Sequence, residues 1–115
     1  MTTAQKNRIA HTDNTFSYAD GFWTGKCLIC GGLLRFDAKT GFGVNIEHIQ
    51  PRSLGGSSDL LNLGLTHPAC NGEKGRHWDT RRRHRRAPDA YRALIERLRD
   101  ERQRRWRPPQ SALSE

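Results

Sequence analysis

Two widely separated pairs of cysteine and histidine residues constrain the fold of this chain most strongly. Cys27 and Cys30 are spaced C-x2-C, and His67 and Cys70 are spaced H-x2-C. Each spacing lets one turn of the backbone present two ligand atoms to a single ion, and two such turns complete a tetrahedron. These four residues therefore predict a closed Cys3His site that holds a structural Zn²⁺.

Other interpretations of the same pairs remain open from the residues alone. An isolated C-x2-C is also the spacing of a redox pair, although no thioredoxin-like βαβ pattern surrounds this one. Cys70 is compatible with a buried apolar role, and His77 is the alternative to His67 as the fourth ligand. Because both pairs occur in one short chain at ligand spacing, the joint zinc site is favoured.

The composition supports a fold that is held together by metal. Only 34% of the 115 residues are apolar, which leaves a small core for a self-sufficient domain. Three cysteines cannot all pair within one monomer, and the first twenty residues lack the apolar stretch of a secretion signal. We therefore expect thiolates rather than disulfides. No apolar run approaches the roughly 20 residues that span a bilayer, so no membrane partner is expected.

The positive charge is concentrated in one segment. Residues 81–107 contain twelve arginines and four acidic residues, which accounts for the whole formal excess of +8. Clustered arginines favour a polyanionic partner such as DNA. The residues predicted to contact nucleic acid are Lys74, Arg81, Arg82, Arg83, Arg85 and Arg86. The alternative is a solvated helix whose charges only keep the protein soluble.

The pattern along the chain predicts a small α+β unit followed by this basic arm. Short strands are expected near 33–36, 44–49 and 63–66, and a helix is expected to begin at Pro68. Pro88 opens a second helix with an apolar stripe that docks on the domain or on a second copy of the chain. The expected boundaries are a flexible segment at 1–20, a domain at 21–80, a basic helical arm at 81–107 and a flexible tail at 108–115.

A second group of residues suggests chemistry between the two halves of the zinc site. Glu47 and His48 place a hard oxygen ligand beside a base that titrates near neutrality. Asn71 follows the zinc ligand Cys70, so on a helix it is rotated by about 100° from it, and Lys74 shares its face. Such a helix can hold zinc on one side and offer an amide oxygen to a second cation on the other. A metal-bridged phosphate suits this arrangement.

The positions of Glu47 and His48 raise a geometric question. In a regular strand, neighbouring side chains point to opposite faces. Both residues can face one metal only if the strand twists or ends there, and Pro51 makes an ending plausible. Taken by itself, His48 is better explained as a partly buried strand histidine that has no chemical role; only its combination with Glu47, Asn62 and Asn71 favours chemistry.

From Trp23 to about Arg76 the chain resembles the HNH endonucleases, specifically the small zinc-stapled kind found in bacteria and phages. The resemblance is carried by C-x2-C-G, E-H-I-x-P-R-S-x-G-G, the N-L of Asn62 and Leu63, and C-N-x2-K. It implies a ββα-metal (His-Me finger) fold with two antiparallel strands, a long joining loop and a helix packed across them. The basic C-terminal helix would follow this domain.

The resemblance also implies roles for individual residues. His48 would be the general base, Asn62 would brace the loop and orient the histidine, and Glu47 and Asn71 would hold the catalytic cation. The family more often has Asp and His in place of Glu47 and Asn71. Oxygen-rich ligands favour Mg²⁺ or Mn²⁺, with Ni²⁺ or Zn²⁺ as alternatives. The implied activity is metal-dependent hydrolysis of DNA phosphodiester bonds, by nicking or by cutting both strands.

Two further functions stay open. One is a non-catalytic zinc module that binds nucleic acid, and the other is an accessory subunit of a phage DNA-packaging machine. A homodimer or a packaging partner would accompany the second. In each case we expect the cytoplasm of a bacterium or of a phage-infected cell.

Overall fold

The computed structural model describes residues 2–79 and 87–109, which form three helices and five strands. The helices are α1 (Thr3–His11), α2 (Pro68–Lys74), which continues as a π-helical turn at Gly75–Asp79, and α3 (Pro88–Arg104). The strands are β1 (Ser17–Ala19), β2 (Phe22–Lys26), β3 (Leu33–Asp37), β4 (Asn45–His48) and β5 (Leu63–Thr66). None of these helices has the length and apolar content needed to cross a bilayer.

The strands form two antiparallel sheets. β1, β2 and β3 make one meander, and β4 pairs with β5 in the other. Trp23 and Gly25 of β2 and Leu34 and Phe36 of β3 are buried at alternate positions, as expected of a sheet with one face in the core. Gly25 is required there because a Cβ atom would lie 2.5 Å from the ring of Phe16.

The second sheet and α2 form the ββα unit that positions the candidate site. Glu47 pairs with Gly64 and His48 with Leu63, so both candidate residues lie at the end of β4. α2 begins at Pro68, where a helix tolerates proline, and packs against β4. The predicted α+β fold class is confirmed, and so are the three predicted strands and both predicted helices.

The expectation of a flexible segment at 1–20 is not met by residues 2–20. Ile9 and Ala10 of α1 are fully buried, and Asn7 accepts a hydrogen bond of 2.7 Å from the indole N–H of Trp23. Thr2 caps the helix through a hydrogen bond from the backbone N–H of Gln5. Only two adjacent residues of this helix are buried, so its sequence lacks the repeated apolar positions from which a helix can be predicted.

α3 packs on the domain through the predicted apolar stripe. Tyr91, Ile95 and Leu98 form a cluster with Leu28 and Ile49. The sequence analysis left open whether this helix docks on its own domain or on a second copy of the chain. The contacts of the described residues are with its own domain. The helix is therefore part of the globular unit.

Arginines at the end of α3 bind the protein's own backbone. Arg102 is fully buried and donates hydrogen bonds to the carbonyl of Leu63 (2.7 Å) and to both oxygens of Thr12 (2.9 and 2.6 Å). Arg105 donates to the carbonyls of Lys26 (2.9 Å) and Cys27 (3.3 Å). These residues, together with Arg107, are called the arginine clamp below.

Arg107 completes the clamp on the N-terminal segment, with hydrogen bonds to the carbonyls of His11, Ala10, Asp13 and Phe16. The sequence predicts that the whole arm at 81–107 binds phosphates, and for Arg102, Arg105 and Arg107 at its end this prediction is wrong. The clamp arginines do not fit the solvated-helix alternative either. Arg81, Arg82, Arg83, Arg85 and Arg86 lie outside the described residues.

Replacing the buried arginine should destabilise the fold. Arg102→Met removes the guanidinium donors of the Leu63 carbonyl and of both oxygens of Thr12, at about 1 to 3 kcal/mol for each buried group left without a partner. The Thr12 carbonyl keeps the backbone N–H of Arg107 as a donor (2.9 Å). We expect the free energy of unfolding to fall by about 3 kcal/mol in urea denaturation of the zinc-loaded protein. Arg97→Met, at an exposed position of the same helix, should change it by less than about 0.5 kcal/mol. Equal effects of the two substitutions would contradict the clamp.

Candidate functional site

The predicted zinc ligands converge at one point. One ligand atom each from Cys27, Cys30, His67 and Cys70 lies within 4.8 Å of the other three. Cys27 and Cys30 stand on a tight turn between β2 and β3, where the N–H of Cys27 donates to the carbonyl of Gly32 (2.9 Å). Three sulfurs and an imidazole nitrogen form a donor set that suits tetrahedral Zn²⁺, so the group fits the predicted cofactor.

The orientation of His67 fits the role of the fourth ligand. Its Nδ1 faces the sulfur atoms of Cys30 (3.4 Å) and Cys70 (3.7 Å), and its Nε2 is 2.8 Å from the carbonyl of Leu33. When Nε2 donates to that carbonyl, Nδ1 is left unprotonated for a metal. The alternative ligand His77 is not in the cluster.

Burial raises the pKa of the Cys70 thiol to about 12, and the neighbouring Cys27 sulfur adds to this shift. The thiol would therefore stay protonated near neutral pH without a cation. Zinc binds the thiolate, so metal binding at this position releases a proton.

Asn62 ties the end of β4 to the loop that follows it. Its side-chain N–H donates to the carbonyls of Gln50 (3.1 Å) and Ser57 (2.7 Å), and its oxygen accepts from the N–H of Gln50 (3.0 Å). Gly56 lies so close that a Cβ atom would be 1.7 Å from the Gln50 carbonyl. These bonds hold the backbone two residues beyond His48, which agrees geometrically with a bracing role for Asn62.

Glu47 is buried in a charged network. Its Oε2 forms an ion pair with Lys74 Nζ at 2.5 Å, and both side chains are only 3% exposed. Lys74 also donates to the two carboxylate oxygens of Asp79 (3.0 and 2.8 Å). The hydroxyl of Tyr91 in α3 donates to Asp79 Oδ1 (2.7 Å).

This network corrects the prediction for Lys74. Its ammonium group is buried between two carboxylates and is not on the surface where a phosphate would contact it. Sequence reasoning placed Lys74 correctly on the face of Asn71 but missed Asp79 and Tyr91. No local signal marked them, because the carboxylate lies in the π-helical turn and its tyrosine partner in a separate helix.

His48 presents an unpaired nitrogen beside this network. Its side chain is partly buried, and its Nε2 is buried without a hydrogen-bond partner among the described residues. Burial lowers the pKa of His48, and the positive charges of Arg52 and Lys74 lower it further. The imidazole is therefore neutral near pH 7, the form that accepts a proton. Arg52, which is exposed and close enough to influence His48, is a candidate that the sequence analysis did not single out.

Asn71 is partly buried in α2, directly after the zinc ligand Cys70. It is three residues before Lys74, and residues at this spacing are neighbours on a helix surface. Lys74 contacts Glu47 and approaches the carbonyl of His48 (3.4 Å), so this helix face packs on the end of β4. Cys70, four residues before Lys74, is also its neighbour on the helix surface, and it belongs to the zinc cluster.

The same residues fit a divalent cation. When both carboxyl groups are ionised, Glu47 and Asp79 carry one negative charge more than the ammonium of Lys74 that they share. Burial, with a smaller contribution from the charge of Asp79, raises the pKa of Glu47 to about 7 despite the opposing charge of Lys74. A cation held by the Glu47 carboxylate and the Asn71 amide oxygen would offset that excess, and oxygen donors favour Mg²⁺ or Mn²⁺.

Comparison with known protein families gives a match for part of the chain. Residues 27–77 match the family described as HNH endonuclease. No curated protein and no solved structure matches the chain. The matched range contains every predicted metal and catalytic residue: Cys27, Cys30, Glu47, His48, Asn62, His67, Cys70 and Asn71.

The metal content of variants should identify the fourth zinc ligand. We expect His67→Ala to lose most of its bound zinc, because the ion then keeps only three protein ligands. His77→Ala is the matched control and should keep the zinc content of the wild type. Elemental analysis after dialysis measures both, and circular dichroism reports on folding. Loss of zinc from His77→Ala alone would contradict the assignment.

Proposed function

We propose that the chain hydrolyses phosphodiester bonds of DNA with the help of a divalent cation. The match of residues 27–77 to the HNH endonuclease family supports this proposal. The observation that carries the proposal is the buried contact between Glu47 and Lys74. It packs α2, the helix that carries Asn71, against the end of β4, where His48 lies. In this proposal a base, a carboxylate and an amide from distant parts of the sequence act together.

In this proposal His48 is the general base. Its neutral imidazole takes a proton from the water that attacks the phosphorus atom, and the buried Nε2 without a partner is the atom available for this transfer. Glu47 and Asn71 hold the cation, which supplies charge neutralisation at the scissile phosphate when it is bound. Asn62 is a positioning residue that holds the backbone beyond His48 through Gln50.

We assign the DNA contacts to arginines that are free of the clamp. Arg52 is exposed and lies near His48, so it is suited to a phosphate next to the one that is cleaved. Arg81, Arg82, Arg83, Arg85 and Arg86 lie outside the described residues and keep the role proposed from their sequence. Contacts of this kind confer affinity and little sequence preference.

One observation favours the rival function, a non-catalytic zinc module that binds nucleic acid. Lys74 already supplies a positive charge to Glu47 in the place where a catalytic cation would act. If that ion pair persisted in the presence of divalent metal, the site would be structural. The cleavage experiment therefore has to be accompanied by a measurement of metal binding.

Loss of the proposed base should abolish most of the activity. We expect the zinc-loaded protein to convert supercoiled plasmid to nicked or linear forms with Mg²⁺ or Mn²⁺. His48→Ala should be slower by about 10²- to 10⁴-fold, the usual contribution of a positioned base. His77→Ala, an exposed histidine of the same domain, should cleave like the wild type. Binding of plasmid without cleavage under every divalent metal would favour the rival function.

Replacement of Lys74 should show whether a divalent cation binds near Glu47, in a measurement that does not depend on cleavage. Lys74→Met leaves the buried Glu47 and the partly buried Asp79 without their ammonium partner, which should cost about 3 kcal/mol of stability. A divalent cation should then replace the missing charge. We expect Mn²⁺ to raise the melting temperature of Lys74→Met more than that of the wild type or of the exposed control Lys39→Met. Absence of this difference would contradict a cation site at Glu47.

A further inference from the structure

The outer face of the three-stranded sheet carries aromatic and basic residues. Because Trp23 and Leu34 point into the core, the alternate residues of β2 and β3 lie on the opposite face. That face includes Phe22, Leu33 and Arg35, and Leu33 is 73% exposed. Within the described residues this face remains open to solvent.

A tight turn presents an additional aromatic ring beside this face. Phe42 is 83% exposed, and it stands between Gly41 (φ 75°) and Gly43 (φ 116°). Two side chains of α1 hold the turn: Lys6 donates to the carbonyl of Gly41 (2.8 Å) and Thr3 to that of Thr40 (3.1 Å). The turn is thus tied down, while its most apolar side chain contributes little to the core.

Phe42, Phe22 and Arg35 line one shallow groove, which we call the aromatic groove. The guanidinium group of Arg35 lies 4.0 Å above the centre of the Phe22 ring, in a cation–π arrangement. Gly43 allows the turn to approach β3 closely, since a Cβ atom would lie 2.9 Å from the carbonyl of Arg35. The groove therefore combines flat apolar surfaces with a positive charge.

The charge of the groove favours an anionic occupant. Its acidic residue, Asp37, accepts hydrogen bonds from the backbone N–H groups of Lys39 (2.8 Å) and Thr40 (3.3 Å) and offsets the charge of Arg35. The positive excess comes from Lys26, which is exposed next to the groove on the same face as Arg35. A ligand that offers both flat rings and negative charges is an unpaired strand of nucleic acid. In a duplex the faces of the bases are stacked on one another and are not accessible.

We propose that the aromatic groove binds an unpaired strand of nucleic acid, whose bases stack on Phe42 and whose phosphates face Arg35 and Lys26. This inference rests on the proposed function and deepens it, because it names a single-stranded or locally opened region as part of the substrate. The groove would hold that strand outside the site of cleavage at His48.

Binding to labelled oligonucleotides tests the proposal. We use zinc-loaded His48→Ala protein, so that no substrate is cut, with single-stranded DNA, single-stranded RNA and duplex DNA of the same length. Adding Phe42→Ala should weaken single-strand binding by about 5- to 100-fold, the effect of removing one stacking ring. Phe42→Trp should restore it, and duplex binding should stay unchanged. Leu61→Ala, an exposed apolar residue outside the groove, is the control.

Three results would overturn the proposal. Phe42→Ala could bind single strands as tightly as its parent, or it could lose duplex and single-strand binding equally. It could instead abolish self-association measured by sedimentation, which would make the groove a contact between copies of the chain.

Plasmid cleavage separates this inference from the proposed function. If the wild type cleaves plasmid but Phe42→Ala does not change single-strand binding, the proposal for the groove is refuted and the nuclease function is not. If Phe42→Ala selectively weakens single-strand binding but the wild type does not cleave, the nuclease function is refuted and the groove is not.

Discussion

The convergence of three cysteines and one histidine is the constraint on which the rest of the domain depends. It joins the turn between β2 and β3 to the start of α2, two places that are far apart in the sequence. α2 contains Gly72 and ends before Gly75, and each glycine costs about 1 kcal/mol relative to alanine within a helix. A Zn²⁺ ion bound to Cys70 would fix the first turn of this weak helix. The other faces of α2 can then carry side chains that act elsewhere.

The second function of α2 is electrostatic. Lys74 places a buried ammonium group between Glu47 and Asp79, and Tyr91 connects this group to α3. A buried ion pair is a weak source of net stability, because desolvation offsets most of the attraction, but losing one partner is costly. The network is therefore better understood as a device that sets the position of Glu47 against α2. Through the hydrogen bond from Tyr91 to Asp79, the network also connects α3, which lies after the matched residues 27–77, to the candidate site.

Spacing predicted the parts of the structure that depend on local pattern. The zinc ligands, the strands and the position of Glu47 and His48 at a strand end all follow from short motifs and a nearby proline. The buried partners of Lys74 and Arg102 could not be predicted in this way. A buried lysine and an exposed one look the same in a sequence, and an arginine that binds backbone carbonyls has no sequence partner to reveal it. From the sequence alone, Lys74 and Arg102 are therefore both counted as surface charges.

The arginine clamp changes how the basic arm is understood. Arg102 and Arg105 are buried, and they donate to backbone carbonyls, to the Thr12 hydroxyl and to the Glu101 carboxylate, so they cannot also donate to phosphates. Their charges still contribute to the positive field that attracts a polyanion over distances of about a Debye length. Salt dependence, however, reports the phosphates that are neutralised at contact. The net charge of +8 therefore overstates the number of contacts that this chain can make with DNA, and part of its arginine content serves to close the fold.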